Sequence, residues 1–570
     1  MNYREWRVLL CAGIGALVGC DTGTGEPQSC VEDFDCPLGE VCEGATADAS
    51  GSCASAPADA ERTFGAASLE FVSGNEAFLL GVYSVPTGAA AVTDTATFSV
   101  SSAGATARVT AISPLRSMVR PDPTWAARSK FDAARWQRMH QRSGAALAQA
   151  GNVSQAALQQ AACPACDADT MCWRHECVAQ VTLTFTDGAS PIHCNLERVI
   201  DAAGQAINVL VDEDLAADAA LAIGAVEAFA ATLADEQHLL GVNNQVATLD
   251  RDGDGRLTVV FTNYAAGDVT TDVVGFFDDQ DFLAAGASGA TGNEADLLWV
   301  RMPGASNSAG LITEPLAVGT LAHEYVHLAS YATRVWGRSV AAPAELLWLD
   351  EGVAHLTEDL AGWGPSNVGA VAVALDAWPT AAFATGEDSV AQRGEAYLLL
   401  RHLVDEAARA AGATGAADAA TTAAATTLVS GLLADPAVGF DHPVLRDAGA
   451  DGVWRWLQAV YATGRDDVLS AATAHNYLSV ESAITGNLVG IATTGTFSSA
   501  RGTDDVTLYG PRMGDGSTDE ILVGDAPLES VVAHSGSVLF LVRASAPGTV
   551  ELRGRGSAQV DLHLRAVQVQ

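Results

Sequence analysis

Two short stretches limit most tightly how this chain can fold. One is GTLAHEYVHLAS, residues 319–330; the other is AELLWLDEGVAHLTEDLAGWG, residues 344–364. Both read as helices. Thr313 and Pro315 make a helix start ahead of the first, and Leu316, Leu321 and Leu328 give it apolar positions. Residues four apart share a helical face, so His323 and His327 can turn ring nitrogens toward one metal ion, with Glu324 in reach of a water. Two zinc ligands and a general base are spaced in this way. Taken alone, the first stretch could equally be a core helix with two satisfied histidines. A catalytic zinc, however, needs a third protein ligand and an open position. Glu351 opens Glu-Gly-Val-Ala-His in the second stretch, far enough downstream for one helix to turn back beside the other, with Trp348 and Leu349 as apolar anchors. A chain that uses both stretches must pack these two helices side by side.

The rest of the composition narrows the setting. At 570 residues, 49% hydrophobic and 17% charged, the chain can build two to four domains with real cores. Its formal net charge of -39 leaves no basic surface for phosphates, which excludes a nucleic-acid partner. Arg4 and Arg7 precede VLLCAGIGALVG, an apolar run too short to span a bilayer and suited to a signal peptide. The run ends in Leu17-Val18-Gly19-Cys20, which resembles a bacterial lipobox. That resemblance implies cleavage before Cys20 and its lipidation, hence an exported lipoprotein of the cell envelope, facing the periplasm or the cell surface. An ordinary secretory signal cut nearby is the alternative. Two groups of four cysteines fit disulfides in an oxidising compartment: Cys30, Cys36, Cys42 and Cys53, then Cys163, Cys166, Cys172 and Cys177. A zinc knuckle is the other reading of the second group. Cys194 is left over.

Along the chain, residues 1–19 read as the signal peptide and 20–62 as a tether with a Cys-rich module. Residues 63–200 read as a β-domain carrying a helical, Cys-rich insertion. Strands and then long helices follow over 201–480, the domain that holds the candidate zinc ligands and so is expected to be a zinc metallopeptidase domain. Short alternating strands over 481–570 read as a C-terminal β-sandwich. The fold class expected is α+β and multidomain, with β-sandwich-like domains at both ends. Asp250, Asp252 and Asp254, followed by Gly255, resemble the start of a calcium loop. The twelfth position is Phe261 where an EF-hand needs a carboxylate, so Ca2+ would bind in another geometry or the loop is an acidic turn.

The two helical stretches together resemble gluzincins, in which a glutamate on a second helix is the third zinc ligand. LAHEYVHLASYA followed by LLWLDEGVAHLTEDL is similar to the hyicolysin family of neutral zinc metallopeptidases. LDRDGDGRLTVVFTNY, VVGFFDDQDF, NEADLLWVRMP and RGEAYLLLRHLVDEAARAAG agree with it over roughly residues 205–412. Val326 stands where that family leads us to expect glutamine, and Asp350 where it leads us to expect asparagine. The resemblance implies a mixed sheet with a helical part carrying the active-site helix. It implies Zn2+ on His323, His327 and Glu351, with Glu324 as general base to a zinc-activated water, and protein or peptide substrates. His355 and Tyr397 are candidates for the oxyanion donor. Glu358, two turns after Glu351, is placed to orient a ligand histidine. The Gly-x-Met-Glu-Asn signature of aminopeptidase N is absent, which favours an endopeptidase over a zinc aminopeptidase. A catalytically silent surface adhesion or structural lipoprotein that keeps the fold is the rival from another class.

Overall fold

The computed structural model describes backbone strands between residues 29 and 111, the segment 132–139 without residue 138, residues 166–477 with gaps (the longest at 378–388 and 463–476), and strands between 480 and 568. The fold is mixed α/β. Its frame is a six-stranded sheet made of β1 (Gln180–Leu183), β2 (Ile192–Ile200), β3 (Ala206–Asp212), β4 (Arg256–Phe261), β5 (Gly275–Phe277) and β6 (Leu297–Val300). The order across the sheet is β1-β2-β3-β4-β6-β5. β1, β2 and β3 are antiparallel neighbours, β3, β4 and β6 run parallel, and β5 returns antiparallel at the edge.

AINVLVD, RLTVVF and LLWV are apolar on both faces because both faces are covered. Val209, Val211, Val259 and Leu298 point into the larger core with the helices. Leu210, Val260, Leu297 and Trp299 point the other way, into a smaller core with Met171, Phe185 and Ile192. Side chains alternate across a strand, so one apolar run feeds two cores.

The helices are α1 (Ala219–Leu240), α2 (Glu314–Tyr331), α3 (Leu347–Glu358), α4 (Val368–Ala377), α5 (Val390–Ala410), α6 (Ala419–Ala434) and α7 (Pro443–Ala462). α2 starts where the local signals place it. The Thr313 hydroxyl accepts the Leu316 amide at 3.3 Å, Pro315 lies in the first turn, and Glu314 faces the positive helix end. α2 touches α1, α3, β5 and β6, and every residue from Ala317 to Tyr331 is buried.

α3 also packs on α5, and Gly352 permits the close approach. A Cβ there would stand 2.9 Å from Ala396 Cβ and 3.2 Å from Leu400 Cδ1. Valine at 352 is therefore expected to lower stability by roughly 1–3 kcal/mol through overpacking. Chemical denaturation checks this, and an unchanged midpoint would mean that the two helices part freely.

Two sequence expectations need correcting. The boundary at 200/201 falls inside the sheet, because β2 pairs with β3 across a short turn; a drop in hydrophobicity at a turn looks the same as a domain edge. The β-regions at the two ends are not separate domains. Strands at Arg62–Phe71, Ala77–Ser84, Thr95–Ala103 and Ala107–Ala111 interleave with strands between Glu520 and Gln568 in two antiparallel sheets. Alternation reveals a strand but not a partner far away in the chain. In the second cysteine group the described residues follow the disulfide expectation: Cys166 is bonded to Cys177, and Cys172 is disulfide-bonded too. Cys194 is a buried free thiol. Cys20, Cys36 and Cys163 lie outside the described residues, as do the side chains of Cys30, Cys42 and Cys53, although Cys42 stands opposite Cys53 in a strand pair.

Candidate metal centre

α2 and α3 bring the predicted ligands together. His323 Nε2 is 3.1 Å from His327 Nε2 and 3.2 Å from Glu351 Oε2, and His327 Nε2 is 3.5 Å from Glu351 Oε1. Ligand atoms about 2.0–2.1 Å from a tetrahedral zinc stand about 3.3 Å from one another, so this spacing fits that ion. Glu351 Oε1 is buried and has no hydrogen-bond partner among the described residues. Two ring nitrogens facing each other can share at most one proton, whereas a cation would satisfy both. His323, Glu351 and His355 also form a group whose ligand atoms all lie within 4.8 Å. In the set with His327 the three ligand–ligand distances above are 3.5 Å or less. In addition, His355 turns Nδ1 toward Glu358 Oε2 (3.3 Å) and Asn367 Oδ1 (2.7 Å).

Each ligand ring is held from behind. His327 Nδ1 is 2.8 Å from Asp350 Oδ2, and His323 Nδ1 is 3.3 Å from Glu358 Oε2. A carboxylate on Nδ1 leaves Nε2 facing the ion site. Glu358 is thus where the sequence reading put it. Asp350 was noted there only as a departure from the family pattern.

The charges are arranged to keep Glu351 ionised. Burial pushes its carboxyl up, but Arg393 and His327 outweigh that and hold it well below the ordinary carboxylate range. Arg393 NH1 is 2.8 Å from Glu351 Oε2. Burial likewise disfavours charge on His327, yet Asp350 and Glu351 raise the ion-free ring to about 10. Burial lowers His355 to about 4, so this ring is neutral at neutral pH.

Glu324 follows His323 on α2 and has no exposed surface. Its Oε2 accepts the Phe277 amide of edge strand β5 at 3.1 Å, and Arg135 NH1 is 3.8 Å away. Tyr397 Oη donates its single proton to Asp359 Oδ2 at 2.9 Å, and Arg401 joins the same carboxylate at 3.1 Å. That bond commits the tyrosine to a support beneath α3. Sequence reasoning missed Arg393, Arg135 and the Phe277 amide, none of which carries a local spacing signal.

The carboxylates of Asp250, Asp252 and Asp254 lie within 4.8 Å of one another. Asp250 ties the turn by accepting the amides of Gly253 (2.8 Å) and Gly255 (2.7 Å), and both glycines are left-handed, with φ of 79° and 77°. Asp296 joins from the start of β6. It is fully buried, its Oδ1 accepts the Arg251 amide at 3.0 Å, and its Oδ2 has no partner among the described residues. Burial, then Asp252, Asp250 and Asp254, push its carboxyl well above the usual range. Asp278 and Asp281 do not extend this cluster: Asp278 caps a turn at the Gln280 amide, and Asp281 accepts from Asn293 (2.6 Å) and Trp299 (2.7 Å).

The chain matches no family model, no curated protein and no solved structure.

Proposed function

We propose that this chain is an exported, lipid-anchored zinc endopeptidase with the gluzincin arrangement, acting on protein or peptide substrates. One observation carries the reading: two imidazole nitrogens from α2 and a carboxylate from α3 converge at 3.1–3.5 Å, with a buried carboxylate oxygen left without a hydrogen bond among the described residues. His323, His327 and Glu351 would hold the ion. Zinc there would supply Lewis acidity, acidifying a water and polarising the scissile carbonyl. Glu324 would accept the proton of the attacking water and return it to the leaving amine. A binding-only site has no use for that base. Asp350 and Glu358 would fix the two rings. Neither sequence candidate for the oxyanion donor offers its proton to the ion site in this form: the single N–H of neutral His355 lies on Nδ1, toward Asn367 and Glu358, and the Tyr397 proton goes to Asp359. Lipidation at Cys20 and the envelope location rest on the N-terminal sequence; the Cys166–Cys177 disulfide agrees with an oxidising compartment.

The test is zinc content measured together with cleavage of casein and of an N-acetylated peptide, by residues 21–570 and by the opened variant described below. Stoichiometric zinc with cleavage of the blocked peptide supports an endopeptidase. Cleavage of free N-termini alone would make it an aminopeptidase. Absence of zinc would sink the reading.

We propose a second, structural cation at the Asp250 loop: Ca2+ held by Asp250, Asp252 and Asp254 with Asp296 beneath. The support is the buried Asp296 oxygen with no partner among the described residues, next to three carboxylates that push its carboxyl up. Calcium at about 100 times its Kd is expected to add about 2.7 kcal/mol of stability, seen as a calcium-dependent rise in Tm that Asp252→Asn removes. An unchanged Tm in calcium would make the loop an acidic turn only.

A further inference from the structure

The proposed site is closed. His323 is 1% exposed, His327 3%, and Glu324 and Glu351 0%. A peptidase of this kind must admit an extended chain beside Glu324, so something in the described form stands in its way. What stands there comes from far upstream. Residues 132–137 are helical and lie outside the six-stranded sheet. Arg135 NH1 donates to the Phe277 carbonyl at 2.7 Å and lies 3.8 Å from Glu324 Oε2. Asp132 Oδ2 accepts Arg393 NH2 at 2.7 Å, and the same guanidinium reaches Glu351 at 2.8 Å. Trp136 Nε1 donates to the Glu345 carbonyl at 2.8 Å, just ahead of α3. Met139 is buried and, with Arg135, closes a small cavity whose other walls include Phe277, His327, Glu345 and Asp350.

We propose that residues 132–139 are an autoinhibitory latch: Asp132, Arg135 and Trp136 pin it across the metal centre, and it must leave before a peptide can reach Glu324. This rests on the peptidase reading and adds its regulation. The anchors suit a reversible device. Two are side-chain bonds to parts of the site, Arg393 and strand β5, and the third holds the chain just ahead of α3, so one movement uncovers β5, Glu324 and the α3 entrance together. Arg135 occupies the space beside the general base and takes the edge carbonyl of β5, two positions a bound substrate would contest.

The test uses the full zinc-loaded chain and the triple variant Asp132→Ala, Arg135→Ala, Trp136→Ala. Two rates are read: zinc removal by 1,10-phenanthroline and cleavage of a quenched peptide. Loss of three anchors shifts the closed–open balance, so both rates are expected to rise by at least about tenfold. A synthetic peptide of residues 126–142 should then slow both again. Faster zinc removal with no cleavage by any form keeps the latch and overturns the peptidase reading. Unchanged zinc removal in a variant of unchanged near-ultraviolet circular dichroism overturns the latch. If the triple variant does not fold, Arg135→Gln keeps most of the side-chain volume. Faster zinc removal in that variant supports the latch, and an unchanged rate sinks it.

Discussion

Glu324→Gln is expected to keep its zinc and lose peptide cleavage by roughly 10²–10⁴-fold, the usual weight of a positioned general base. Glu324 is not in the ligand set, so the ion should stay with His323, His327 and Glu351. The substitution is nearly isosteric, and an amide oxygen can still accept the Phe277 N–H that Glu324 Oε2 accepts at 3.1 Å. Tm should therefore move little. Such a split between bound metal and turnover would point to the proton-accepting carboxylate rather than to a damaged site. The comparison belongs in the opened background, where cleavage is fastest. Zinc lost along with activity would mean that Glu324 holds the ion or the fold, and the role assigned here would fall. Cleavage unchanged would mean that another group takes the proton.

How much was legible beforehand depends on how local each cause is. Thr313 and Pro315 act within one turn, so the start of α2 could be read from its own residues. His323 and His327 share a face by helical period alone. Glu351 needed one further step, the return of a second helix, and α3 makes that return. Glu358 sits on the face of Glu351 two turns on and does reach His323. Beyond that, local pattern carries no information. Arg393 lies in a helix full of charges, where a guanidinium usually faces solvent, yet it is fully buried between Asp132 and Glu351. Asp296 looks like the polar end of a strand, and only the fold brings it under the Asp250 loop. Arg135 lies in a part of the sequence set aside as an insertion. The terminal strands were legible as strands through their alternation, but not as partners. Helical period and capping report on the next few residues, whereas ion pairs between distant segments report on the whole packing.

Arg393→Met is expected to have the second large effect, and its two consequences separate by pH. Burial pushes the Glu351 carboxyl up; Arg393 is the leading cause that holds it ionised instead. Losing the guanidinium leaves Glu351 and Asp132 as buried carboxylates short of their partner, which typically costs about 3–5 kcal/mol. The sign follows from the direction of the shift. A carboxyl held below its unfolded value of about 4.3 contributes stability above that pH and loses it as pH falls through the folded value. The metal-free variant should therefore be much less stable than the parent at pH 7, with the gap closing toward pH 3. Chemical denaturation at both values reads this. At pH 7 the variant should also bind zinc about 10–100-fold more weakly, the usual penalty for removing a group that supports a ligand. A chelator competition measures it. Asp132→Asn supplies the contrast. It removes the charge from the contact between Arg393 and the latch (2.7 Å), turning an ion pair into a weaker neutral hydrogen bond, but leaves Arg393 on Glu351 (2.8 Å). It should speed zinc removal while leaving equilibrium zinc affinity nearly unchanged. If instead both variants weaken zinc equally, Asp132 supports the ligand rather than the latch, and the segment at 132–139 is part of the metal centre itself.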